Sequence, residues 1–148
     1  MSAAALEAYL HANIPLTRAM AVSAVSVHAQ GVTLSAPLDP NINVHGTAFG
    51  GSVSTLGVLA AWSVVHLRLE AEAVAAQLVI HRNETEFLAP ITGRFEAVAQ
   101  IEPQAWIEFR TMLDRRGKAR LSVTADLLFE GGVAARMTGE FVAIRDRG

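Results

Sequence analysis

The stretch Ala48-Phe49-Gly50-Gly51-Ser52-Val53-Ser54-Thr55-Leu56-Gly57-Val58-Leu59-Ala60-Ala61-Trp62-Ser63-Val64-Val65 decides the fold. It runs for 18 residues without an Asp, Glu, Lys, Arg or His. A helix with no charged face has to be enclosed, either by lipid or by its own protein. Seven of the 18 (Gly50, Gly51, Ser52, Ser54, Thr55, Gly57 and Ser63) are Gly, Ser or Thr, a poor lipid-facing composition. The expectation is therefore a long central helix, about Ala48 to Glu72, wrapped by the rest of the chain, with no membrane.

Outward from this helix the period of the apolar residues changes to two. Before it, Val25 and Val27, then Val32, Leu34 and Ala36 beyond Gln30-Gly31, alternate with Ser26, Thr33 and Ser35, the pattern of a hairpin. Ahead of the hairpin, Ser2 is an N-cap candidate, and Leu6, Tyr9 and Leu10 fall on one face of a short helix ending near Asn13 and Pro15. After the helix, Gln77 to Leu88 reads as a strand. Four more are marked by Phe95, Ala97, Ala99 and Ile101; by Ala105, Ile107, Phe109 and Leu113; by Ala119, Leu121, Val123, Ala125, Leu127 and Phe129; and by Val133, Ala135, Met137 and Phe141. Gly93, Arg116-Gly117 and Gly131-Gly132 supply turns. Charged residues between the apolar ones, such as Glu108, Arg110, Arg120, Asp126 and Arg136, leave one sheet face wet. The expected architecture is α+β: an antiparallel sheet, hairpin plus five-strand meander, curled around one long helix.

Composition bounds the rest. A chain of 148 residues, 51% hydrophobic and 18% charged, is one folded domain spanning 1–148. A net charge of −2 gives no basic field for nucleic acid. Without cysteine there is no disulfide, thiolate zinc site or cysteine nucleophile. The five histidines show no ligand spacing, so neither a metal nor another cofactor is expected. Residues 1–13 lack the basic and apolar regions of a secretory signal, so cytoplasmic residence is expected.

The chemistry concentrates where a Pro- and Asn-rich loop enters the helix, at Asn41-Ile42-Asn43-Val44-His45-Gly46-Thr47-Ala48-Phe49-Gly50-Gly51-Ser52. Amides at a helix N-terminus lack intrahelical partners and sit at the positive end of the dipole. Gly50-Gly51 either permits close helix-to-sheet packing or lets a carbonyl that becomes an oxyanion approach those amides.

This run, with Ile14-Pro15-Leu16-Thr17-Arg18-Ala19-Met20, Ala36-Pro37-Leu38 and Phe87-Leu88-Ala89-Pro90, resembles the hotdog-fold acyl-thioester enzymes, and most closely the thioesterase domain of the YiiD C-terminal type. The resemblance implies a hotdog fold, a homodimer or dimer of dimers with the strand after the helix at the seam, and sites between protomers. It implies that Gly50 and Gly51 polarise a thioester carbonyl with Asn43 and His45 beside it as catalytic residues. Thr47, Phe49, Ser52 and the seam residues Arg82, Asn83 and Glu84 are the corresponding substrate contacts. The implied substrate is an acyl-CoA or an acyl carrier protein thioester.

The carboxylate of relatives is missing: Thr47 stands where one branch carries an acid, Val58 where another does, and Ser52 to Leu69 contains no Asp or Glu. A hydrolase needs a base for its water. His45 is one candidate, since an imidazole changes charge near neutral pH; Glu84 and Glu86 are others. Arg82, Arg94, Arg115, Arg116 and Lys118 are candidates for the phosphates of coenzyme A. Thioester hydrolysis leads. A non-catalytic acyl-thioester-binding module, which the missing carboxylate favours, and a 3-hydroxyacyl-thioester dehydratase are the alternatives.

Overall fold

The computed structural model describes residues 1–146. Helices α1 (Ala3–Asn13) and α2 (Pro15–Ala19) precede the hairpin β1 (Ser23–His28) and β2 (Gly31–Ala36); a single 3-10 turn, Asp39–Asn41, leads into the long helix α3 (Gly50–Ala71). Then come β3 (Ala76–Phe87), β4 (Phe95–Gln100), α4 (Pro103–Arg116), β5 (Lys118–Phe129) and β6 (Gly132–Arg145). The six strands form one sheet in the order β1-β2-β4-β5-β6-β3, every neighbouring pair antiparallel.

The hairpin, the central helix and the first helix stand where the periodicity puts them, and Ser2 caps α1 by accepting from the Ala5 amide. The short helix α2, with Pro15 in its first turn, extends the N-terminal unit beyond the expected stop.

The expected strand at Ala105–Leu113 is instead helix α4. The Glu102 carboxylate accepts from the amides of Gln104 and Ala105, Pro103 occupies the first turn, and Gly117 ends the helix with φ 73°. Alternation put Ile107 inside and Trp106 outside, whereas Ile107 is 56% exposed and Trp106 only 4%. The buried set Trp106, Phe109 and Leu113 follows helical spacing. Trp106 Nε1 donates to Glu72 Oε2, Arg110 pairs with Glu72, and the Arg68 guanidinium lies 4.6 Å over the Trp106 ring, docking α4 on the C-terminal end of α3. Gly117 is thus a helix cap rather than a hairpin turn.

The five-strand meander is also corrected. β3 does not pair with β4; it crosses to β6 and ends at a sheet edge. A register shift between Ile80 and Arg82 resolves its ambiguous parity: Leu78 and Ile80 pack on the core, Val79 is 51% exposed, and beyond the shift Thr85 bonds to Ser54 of α3.

α3 is the one helix among the described residues long and apolar enough to cross a membrane, and it is the core helix. Its residues Leu56, Ala60, Ala61, Val64 and Val65 pack with Phe95, Leu127, Met137 and Phe141 of the sheet. A Cβ on Gly57 would lie 3.0 Å from the Met137 Cβ, so a glycine sets how closely helix and sheet approach. One stripe of α3, Ser54, Val58 and Trp62, stays half-buried on the side of the edge strand β3, where Trp62 Nε1 donates to the Leu78 carbonyl.

Candidate active site

The helix α3 begins without a cap. Phe49 is its N-cap residue, extended at φ −61° and ψ 131°, and offers no side-chain acceptor. The Phe49 amide is held by the Asn41 carbonyl, the Ala48 amide by the Ile91 carbonyl, and the Val53 amide closes the first helical bond on Phe49. Among the described residues the amides of Gly50, Gly51 and Ser52 have no acceptor. Three aligned N–H groups at the positive end of a 22-residue helix are therefore free for an anionic or carbonyl oxygen.

A cavity of about 350 Å³ opens beside them, lined by Ala48, Gly50, Val53, Phe87, Ala89, Pro90, Ile91 and Ala135. Every lining side chain is apolar or absent. Val53, Ile91 and Ala135 are buried and form its floor; Phe87, Ala89 and Pro90 are exposed and form its rim. Both glycines are needed for this shape. A Cβ on Gly50 would lie 3.3 Å from the Phe87 ring, and one on Gly51 would collide with the ring of Phe49.

The loop before the helix is a small hairpin closed by the bridge between Ile42 and Ala48. Asn43 staples it. Its Oδ1 accepts from the amides of His45 and Thr47 at 2.8 and 3.1 Å, and its Nδ2 donates to Thr47 Oγ1 at 2.8 Å. Asn43 and Thr47 thus spend their side chains on each other, and Gly46, at φ 79°, completes the turn. His45 sits at the exposed tip with Val44, which is 94% exposed. Among the described residues no side-chain hydrogen bond aims its imidazole at Gly50.

The structure groups Thr47, Phe49, Gly50, Gly51 and Ser52 around the uncapped helix end, with Asn43 supporting them. It does not bring Arg82 and Glu84 there: they line a separate cavity on the outer sheet face with Ser122, Thr138 and Glu140. Glu86 stands opposite Arg136 and Asn83 opposite Gly139, both on the exposed edge strand. Arg94 pairs with Glu96 at 3.4 Å.

Three further contributors escaped the choice of site residues from the sequence. Asn41, only 2% exposed, donates from Nδ2 to the carbonyls of Met20 and Pro37 and so fixes the carbonyl that holds Phe49. Ile91 and Ala135 form the cavity floor; an apolar residue in a strand or loop carries no signal that separates a cavity wall from core.

Comparison with known proteins identifies the family and the fold. Residues 3–145 match the family described as "Putative thioesterase (yiiD_Cterm)". A protein of unknown function from Chlorobaculum tepidum is similar over 97% of this chain and 94% of its own, at 27% identity and a TM-score of 0.91. A "putative thioesterase" from Shewanella oneidensis is similar over 96% of both chains, at 28% identity and a TM-score of 0.85. A thioesterase from Haemophilus influenzae, 12% identical with a TM-score of 0.78 over 98% of this chain and 92% of its own, shares the fold. The sheet wrapped around α3 is the hotdog fold, and the chain belongs to the YiiD C-terminal thioesterase family.

Proposed function

We propose that the protein hydrolyses acyl thioesters of coenzyme A or of acyl carrier protein. One observation carries the reading: three free amides at the start of α3 open beside a cavity whose lining side chains are all apolar. A thioester carbonyl set against the amides of Gly50 and Gly51 places its acyl chain among Val53, Ile91 and Ala135, and the amides stabilise the oxyanion as water attacks. His45 is the proposed base.

The site is completed in a homodimer. The 12-residue strand β3 has a partner on one side only, and Val79, Phe87, Leu88, Phe49, Ile42 and Val44 expose apolar surface along or near that edge. An uncovered edge of this length invites pairing with a second copy. Edge-to-edge pairing of β3 covers the half-buried stripe Ser54, Val58 and Trp62 and brings loop tips carrying His45 to sites between protomers; a dimer of dimers adds sheet-face contact.

A second reading has its own support. No Asp or Glu lines the cavity, and the first acid of α3 is Glu70, in its last turn. A module that binds acyl thioesters without cleaving them fits that lining. The deciding experiment is release of free thiol from a panel of acyl-CoA esters, with ligand-induced thermal shifts and light scattering on the same samples. Turnover with dimeric mass is expected. Thermal shifts without thiol release establish the binding module, and neither removes the site from this end of α3.

A further inference from the structure

Strand β4 stops at Gln100, opposite Thr124, so β5 continues for Lys118 to Val123 with β6 on one side and no strand on the other. Among the described residues no hydrogen bond reaches the backbone groups of this segment that point away from β6. The helix α4 lies alongside but does not close the gap. A groove of about 720 Å³ remains, lined by Ala105, Glu108, Phe109, Met112 and Arg116 of α4 and by Lys118, Ala119, Arg120, Leu121 and Ser122 of β5.

The two walls have different grammar. The α4 residues form a single helical stripe. The β5 residues are five in succession, although a sheet face presents only every second residue. The groove therefore runs along the strand's edge and exposes its backbone. The stripe from Ala105 to Arg116 is about 16 Å long at the helical rise. The five strand residues Lys118 to Ser122 span about 13 Å, enough for an extended peptide of about five residues.

We propose that this groove receives an extended, acidic segment of another protein, which adds a strand on the line that β4 leaves at Gln100. Backbone pairing with β5 supplies the register, and apolar side chains of the incoming strand rest on Met112, which is 42% exposed, above the buried Phe109. Charge selects the partner. Arg120 is paired with Glu140, but Arg116 and Lys118 make no ion pair among the described residues, and Glu108 is the one acid in the lining. Carboxylates on the incoming strand meet these two cations.

The test is an amide-resolved NMR titration of the full chain with a peptide of about seven residues alternating glutamate and leucine. Shifts and slowed hydrogen exchange confined to Lys118–Ser122 and the facing stripe of α4 are expected. Binding should weaken by about tenfold or more in Arg116→Glu combined with Lys118→Glu, both exposed positions, without loss of thermal stability. A peptide N-methylated at alternate amides should likewise fail. Equal binding of a lysine-for-glutamate peptide, equal binding of the N-methylated peptide, or no response at these amides overturns the proposal. Coenzyme A alone moving the same amides and displacing the peptide would make the groove a phosphate site instead. Concentration-dependent protection of this edge without peptide would assign it to a second copy of the chain.

Discussion

The ring of Phe49 fills the space in which a side chain on Gly51 would stand: a Cβ built on Gly51 lies 3.0 Å from both Cδ2 and Cζ of that ring. The aromatic side chain is 57% exposed, so it rests over the first turn of α3 rather than in the core. Gly51→Val displaces the ring and places a branched side chain beside the free amides, while the buried face of α3 is untouched. Affinity for a non-hydrolysable acyl-CoA should fall by about tenfold or more, the scale of one or two lost amide hydrogen bonds. Calorimetry and a thermal melt check this; unchanged affinity moves the thioester away from Gly51.

Ala135 pairs with Phe87 across β6 and β3 and is fully buried at the cavity floor. Ala135→Leu adds three carbons to the space proposed above for the acyl chain. The ratio of long-chain to short-chain turnover should drop, because only the longer chain reaches the floor. Where the added bulk does not fit the cavity, overpacking costs about 1–3 kcal/mol and shows in the melting temperature. A chain-length profile identical to that of the unaltered protein would mean that the acyl group lies elsewhere.

His66 stacks on Trp62 with ring centroids 4.5 Å apart and on Tyr9 of α1 at 5.1 Å, and its Nε2 lies 3.4 Å from Glu70. Burial holds the imidazole below its ordinary pKa, with Glu70 opposing in part. The unfolded chain therefore takes up this proton first as pH falls. The fold is unaffected above the ordinary histidine range, loses stability as pH falls through it, and carries the full penalty below the lowered folded value. His66→Phe keeps a ring in the stack and removes the proton site. Between about pH 8 and pH 5 the melting temperature of the natural protein should fall further than that of the variant. Parallel curves would place the acid sensitivity in other groups.

Much of this was legible in the sequence where one period held without a competitor. From Ala48 to Val65 the absence of charge admitted only an enclosed helix, and from Ala119 to Phe129 only a one-sided strand. The segment 105–113 satisfied two periods at once, and the local signals at Glu102-Pro103 and Gly117 decide for the helix. The pairing of β3 with β6 was not legible, because a strand's partner depends on what the rest of the sheet leaves free. At the site, Gly50-Gly51 was readable as amides without side chains. Asn43 was not: an asparagine at a helix entrance has the same spacing whether it holds a ligand or, as here, the amides of its own loop.

The missing carboxylate gives the sharpest test of the mechanism. Thr47 Oγ1 accepts from Asn43 Nδ2, and an aspartate at this position can accept the same bond, so Thr47→Asp preserves the staple that shapes the loop. The position lies just ahead of an uncapped helix N-terminus, where an anion is stabilised and remains able to take a proton from water. His45→Ala in the natural protein should lower thiol release by roughly 10²- to 10⁴-fold if the imidazole is the base. Thr47→Asp in that background should restore part of the loss, and in the binding-module case should create turnover where there was none. Stopped assays of thiol release on the natural protein, both single variants and the double variant separate these outcomes. A folded Thr47→Asp protein that binds acyl-CoA yet gains nothing in either background would place the reacting carbon out of reach of residue 47.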